Sequence, residues 1–171
     1  LQDQVVQMGA DYRGVSAMDA MSQAAAWIKE PSADVGVVIV ISASLPKYII
    51  DQVHVAIDDW DQVAYLAVQR PAELMLDWLQ SGAKPMQSVT TSRCQAKQLL
   101  SPVCPNCFLL DVEVEAVPGL AWLGSVCGHK LRVLELSIDG PSSTDMDQQV
   151  ERILSAAQTL ARCLLQERCV L

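Results

Sequence analysis

Cys104, Cys107, Cys127 and His129 are the residues of this chain whose types and spacing most directly suggest chemistry. They run Cys-Pro-Asn-Cys, then nineteen residues, then Cys-Gly-His. Soft thiolates two residues apart can chelate one metal ion, and a distant Cys/His pair can close a tetrahedral shell around zinc. The second pair has one intervening residue where zinc ribbons normally have two. Cys94 is a substitute ligand at an unremarkable spacing. The same Cys-x-x-Cys pair also reads as a redox dithiol. Such dithiols sit where a strand feeds a helix whose N-terminus lowers the thiol pKa, and here the strand-like Phe108 to Glu115 follows instead. Buried or surface thiols without function are the remaining reading, since a free cysteine packs as a small hydrophobe.

Ligand binding by the loops after strands gives a second set of residues. In a parallel sheet, ligands sit beyond the carboxyl ends of the strands. That places Ser42, Ser44 and Lys47 after the first strand, where hydroxyls and a helix N-terminus can hold an anion. Gln69 and Arg70 follow the second strand, and Asp139, Ser142 and Ser143 the last. The plainer assignment is that Ser44 caps its helix and Ser142 and Ser143 furnish a turn. His54, at the edge of an apolar helical stripe, reads as a packing residue. Asp58, Asp59 and Asp61 around Trp60 lack further oxygen donors to complete a cation shell and read as a solvated loop, with Trp60 either folded back or a contact anchor.

No nucleophile elbow, His-Glu-x-x-His, calcium loop, dinucleotide turn or phosphate loop occurs in the sequence. Twelve Lys and Arg against twenty Asp and Glu leave a formal charge of −8, a surface that repels phosphate backbones and argues against nucleic acid. The aliphatic run Val37 to Ile41 falls far short of the ~20 residues a membrane-spanning helix needs. Six cysteines are too sparse for a secreted disulfide scaffold in a chain of 171 residues, so a reducing cytosol is expected. The opening Leu1-Gln2-Asp3-Gln4 resembles a mid-chain start, which leads to the expectation of one domain excised from a longer protein.

The elements that must position these residues follow from hydrophobic periodicity. Ser16 and Asp19 resemble a capping box, and Met18, Met21, Ala25 and Ile28 predict a helix ending near Glu30. Val35 to Ile41 is an unbroken β-branched run, read as a central strand covered on both faces. Pro46 opens a helix with Ile49, Ile50, Val53 and Ile57 inward. Gln62 to Val68 is a second strand, and Pro71 starts a helix with Leu74, Met75, Trp78 and Leu79 inward, terminated by a left-handed Gly82. A short helix is expected over Arg93 to Leu100. Phe108 to Glu115 alternates Leu110, Val112 and Val114 with Asp111, Glu113 and Glu115, the pattern of a half-buried antiparallel or edge strand. Leu131 to Ile138 is another strand. Thr144 and Asp147 then start a long amphipathic helix bearing Val150, Ile153, Leu154, Leu160, Leu164 and Leu165. Its apolar end, with Val170 and Leu171, is expected to dock on a second subunit or on missing sequence.

The expected fold is therefore α/β with a mostly parallel central sheet, an antiparallel or edge strand pair in the second half, and a long C-terminal helix. Two roles are compatible with it. One is a non-catalytic binding or interaction domain acting within a larger protein or assembly, with a protein partner, a neighbouring domain or a second copy beside it. The other is a small-molecule enzyme using the loops after the strands, or a zinc-stabilised module built on the cysteines.

Overall fold

A computed structural model describes residues 23–82, 94–114, 119–140 and 142–169. Their order is β1 (Ala25–Lys29), β2 (Val37–Ser42), α1 (Lys47–Ile57), β3 (Val63–Val68), α2 (Pro71–Gly82), α3 (Gln95–Leu100), β4 (Phe108–Val114), a 3-10 turn (Ala121–Leu123), α4 (Gly124–Cys127), β5 (Lys130–Leu136) and α5 (Ser143–Cys169). The strands form one five-stranded sheet in the order β1-β3-β2-β4-β5. β1 is antiparallel to β3, and every other pairing is parallel.

β2 is the centre of the sheet because its side chains are apolar at every position from Val37 to Ile41. Val37, Ile39 and Ile41 face α1 and α5, where Ile49, Val53, Ile57, Val150, Ile153, Ala157 and Leu164 complete one apolar layer. Val38 and Val40 face the opposite layer with Leu74, Ala96, Leu100 and Leu123 from α2, α3 and the 3-10 turn. All five residues from Val37 to Ile41 are at most 1% exposed, so both faces of this strand are covered, as a parallel sheet under helices requires. The chain leaves β2 towards β3, then returns across β2 to β4. Crossovers of constant hand travelling in opposite directions fall on opposite faces, which is why α1 and α2 pack on different sides. The strand order reverses between β2 and β4.

Four expectations change at this level. Ala25 and Ile28 lie on or beside a strand, not a helix: β1 pairs Ala25 with Val68 and Trp27 with Leu66, with an irregularity before Lys29. β3 would otherwise present an unpaired edge, and that ladder, with Gln69 and Arg70 N–H donating to Ala24 O, overrides a helical pattern of apolar residues. Ser16, Met18, Asp19 and Met21 lie outside the described residues. Leu79 is 54% exposed because α2 meets the sheet through Leu74, while Trp78 turns sideways to stack on Trp122 with ring centroids 5.2 Å apart. Gly82 is the last helical residue and has no left-handed φ; that conformation belongs to Gly128, at φ 76°, which ends α4.

The fourth concerns β4, whose alternation suggested one solvent face. The β4–β5 pair does close one end of the sheet, with β5 as the edge strand, but it runs parallel, and β4 itself lies between β2 and β5. Asp111 consequently faces the inside of the protein at 1% exposure. At the opposite end of the fold, Leu164 is buried against the body, whereas Leu165 is 41% exposed. Val170 and Leu171 lie outside the described residues. No helix among those described is long and apolar enough to cross a membrane.

Candidate site at the sheet reversal

The carboxyl ends of β2, β3 and β4 meet where the strand order reverses, the place where a parallel sheet splays its loops apart and leaves a crevice. The turn after β2 is drawn tight by its own hydroxyls. Ser42 Oγ lies 2.9 Å from Ser44 Oγ and accepts the Ser44 N–H at 3.3 Å, while Leu45 N–H donates to Ser42 O at 3.0 Å. Ala43 N–H donates to Val68 O at 3.0 Å, tying the turn to β3. This turn, with Gln69, Pro71, Ala72, Met75, Gly119 and Trp122, encloses a crevice of about 560 Å³. Trp122 forms one wall and is held rigid by the Trp78 ring behind it.

Beneath the same turn lies a much smaller cavity of about 10 Å³, bounded by Ser42, Ser44, Leu45, Asp111, Val112, Glu113, Val114 and Leu120. Neither Asp111 carboxyl oxygen has a hydrogen-bond partner. Burial first, then the neighbouring Glu113 carboxyl, raises Asp111 from the ordinary 3.8 to about 8, against a smaller lowering by the Leu120 backbone. A carboxylate in an apolar layer loses its hydration and has no counter-charge here, so the neutral acid is favoured. Glu113, half-buried, is better placed, since it accepts the Leu120 N–H at 3.2 Å.

The residues expected to bind at this end of the sheet divide accordingly. Ser42, Ser44 and Gln69 line the crevice. Lys47 is 84% exposed and paired with Asp51 at 2.5 Å, and Arg70 is paired with Glu73 at 2.9 Å, so both side chains serve helix-surface ion pairs and neither lines the crevice. Asp139, Ser142 and Ser143 do not line it either. Asp111, Glu113, Gly119 and Trp122 were not anticipated. One signal was present for Asp111: Leu109 shares its parity on the strand, so the supposedly wet face begins with a large aliphatic residue.

The expected metal shell is not assembled. Among the described residues no group of three or more His, Cys, Asp or Glu side chains converges. Cys107 is buried and donates its thiol to Val35 O at 3.1 Å, while Cys104 beside it is exposed. Burial first, then the adjacent Cys104, pushes the Cys107 thiol up, the opposite of what a redox nucleophile needs. Cys127, packed against the same apolar cluster as Cys94 and Cys107, is also pushed up by burial, with Lys97 opposing and Cys94 adding to the rise. His129 is buried, and its Nε2 donates to Val103 O at 3.1 Å, leaving Nδ1 unpartnered. His129 is thus tied to the residue before Cys104, but its Nε2 is taken up by the Val103 carbonyl and the Cys107 thiol by the Val35 carbonyl.

His54 is half-buried on α1, away from the crevice. Asp58, Asp59 and Asp61 are exposed, and Trp60 folds back against the apolar layer under α1 and α5. In comparison with known proteins, no family model matches this chain and no curated protein matches it.

Proposed function

We propose that this chain is a non-catalytic binding module: an α/β domain, acting within a larger protein or assembly, that holds a small molecule at the carboxyl ends of β2, β3 and β4. The observation that carries the reading is the crevice of about 560 Å³ at the reversal of strand order, with a rigid aromatic wall at Trp122 and polar groups at Ser42, Ser44 and Gln69. Its size and its mix of apolar wall and few polar groups suit a small organic ligand. Neither described histidine lines it, so no Ser/His pair of the hydrolase kind is found among its described lining residues. Exposed Leu76 and Leu79 on the outer side of α2 offer a neighbouring domain, a protein partner or a second copy an apolar surface to cover. The unpaired state of all six cysteines suits a reducing compartment.

Ligand-observed NMR on a library of small aromatic and heteroaromatic compounds tests the module. Hits that vanish in Trp122→Leu support it. Hits indifferent to both Trp122→Leu and Ser42→Ala would place binding elsewhere and sink the reading.

Asp111 favours a second reading, an enzyme in which this acid moves a proton, because a carboxyl near pKa 8 is poised for transfer at neutral pH. Following a bound hit for product formation separates the two: turnover abolished by Asp111→Asn selects the enzyme.

A further inference from the structure

Asp111 is the one carboxylate of the sheet's interior among the described residues, 1% exposed with both oxygens unpartnered. A buried acid in that condition calls for a physical reason, because leaving it unsatisfied is costly. It shares its small cavity with Glu113, half-buried, and with the hydroxyls of Ser42 and Ser44. Ser42 and Ser44 line the large crevice as well, so one turn forms the boundary between the two spaces. Gly119 lines the crevice and Leu120 the cavity, which places a residue with no side chain at the other side of that boundary.

We propose that the cavity and crevice form one site for an organic cation, a protonated amine carried on a flat or apolar body, with the amine against Asp111 and Glu113 and the body against Trp122 and Met75. This rests on the crevice being a ligand site and names the class of its ligand.

The charge pattern selects the sign. Among the described residues, no Lys, Arg or His lines either space. The nearest cations in sequence are committed elsewhere, Lys47 to Asp51 and Arg70 to Glu73. An anion entering here meets carboxyl groups and, among the described residues, no counter-charge; a cation favours release of the Asp111 proton to solvent and supplies donors to the two oxygens of the resulting carboxylate. The Trp122 ring adds an aromatic face to which a cation is attracted and on which a flat body stacks. Size selects an amine over a metal. A cavity of about 10 Å³ holds one water-sized group, the dimension of an ammonium head. A hard divalent cation needs six or more oxygen ligands or retained waters, and no third acid, His or Cys converges among the described residues.

The test is calorimetric titration of the full chain with 2-phenylethylamine and benzamidine, against the neutral 2-phenylethanol, the anionic 3-phenylpropanoate, and magnesium and calcium chloride. The amines are expected to bind about tenfold or more tightly than the alcohol, the size of one charge-assisted contact. Asp111→Asn and Glu113→Gln should each bring the affinity of the amines down to that of the alcohol measured on the same variant, and if Asp111→Asn fails to fold, Glu113→Gln decides. Equal binding of alcohol and amine, or an amine preference that survives these substitutions, overturns the cation assignment but keeps the crevice. A saturable response to magnesium or calcium lost in Asp111→Asn overturns it in favour of a metal. No Trp122-dependent binding of any probe overturns both the cation and the crevice.

Discussion

Glu113 accepts the backbone N–H of Leu120 at 3.2 Å, and this bond folds the chain after β4 back over the end of its own strand. Gly119 passes so close to Glu113 that a Cβ there would collide with the same carboxylate oxygen. The glycine is required by close approach and not by its backbone angle, since no left-handed φ occurs there. Gly119→Ala should therefore swing Glu113 aside and break the Leu120 bond. A loss of about 1 kcal/mol is expected, read by urea unfolding. Glu113→Ala should cost a similar amount and make Gly119→Ala harmless in the double variant, because the collision partner is then gone.

Asp111 makes stability depend on pH with a definite sign. Its folded pKa, about 8, exceeds the ordinary 3.8, so between these values the folded state holds a proton that the unfolded chain has lost. Stability from this group is complete below pH 4, falls by about 1.4 kcal/mol per pH unit at the steepest, and levels off above pH 8. Urea unfolding of the natural chain and Asp111→Asn at pH 4, 6 and 8 should show the Asn variant gaining on the natural chain as pH rises. A constant difference across that range would mean that Asp111 is ionised in the folded protein.

Ile39 faces the layer formed by α1 and α5 at 0% exposure, beside Tyr65 on β3 and Leu110 on β4, and the Tyr65 hydroxyl is already turned to Ile50 O. Ile39→Asp should abolish soluble, cooperatively melting protein, since an unpartnered carboxylate there costs several kcal/mol. Asp111 differs in bordering a cavity lined by Ser42 and Ser44. A soluble Ile39→Asp protein with a single melting transition would remove β2 from the centre of the sheet.

Leu164 and Leu165 are adjacent on α5 and differ in burial, 4% against 41% exposed. Leu164 packs against Gly36 so closely that a Cβ on the glycine would lie 2.9 Å from Leu164 Cδ2. Leu164→Ala should lose about 2–4 kcal/mol, and Leu165→Ala about 0.5 kcal/mol or less. Both are measured by thermal or urea denaturation of the isolated chain.

For the cysteines, strong chelators should leave the melting temperature unchanged. Cys107→Ser should destabilise, by about 1 kcal/mol or more, through a buried hydroxyl in place of a thiol, whereas exposed Cys104→Ser should not. Stoichiometric zinc, with melting lowered on its removal, would restore the four-ligand reading.

Much of the architecture was legible from residue pattern alone. Val37 to Ile41 has no polar position, and only a strand covered on both faces buries such a run. Ile49, Val53 and Ile57, and again Val150, Ile153 and Ala157, recur at helical spacing and do face the sheet. Ser42 and Ser44 were legible as residues at the carboxyl end of a parallel strand, and both line the crevice there. Three things were decided by tertiary structure. Ala25 to Lys29 became a strand because β3 had an open edge, a fact about a neighbour and not about the segment. The cysteines and His129 form no group of ligands among the described residues because spacing along a chain does not say what each side chain meets: Cys107 donates to Val35 O and His129 to Val103 O. Asp111 was read as solvent-facing since alternation within a strand reports two faces without saying what covers them. The Leu120 turn, with Leu100 and Leu123 in the same apolar layer, covers that face, and burial by partners distant in sequence puts an ordinary carboxyl inside the protein.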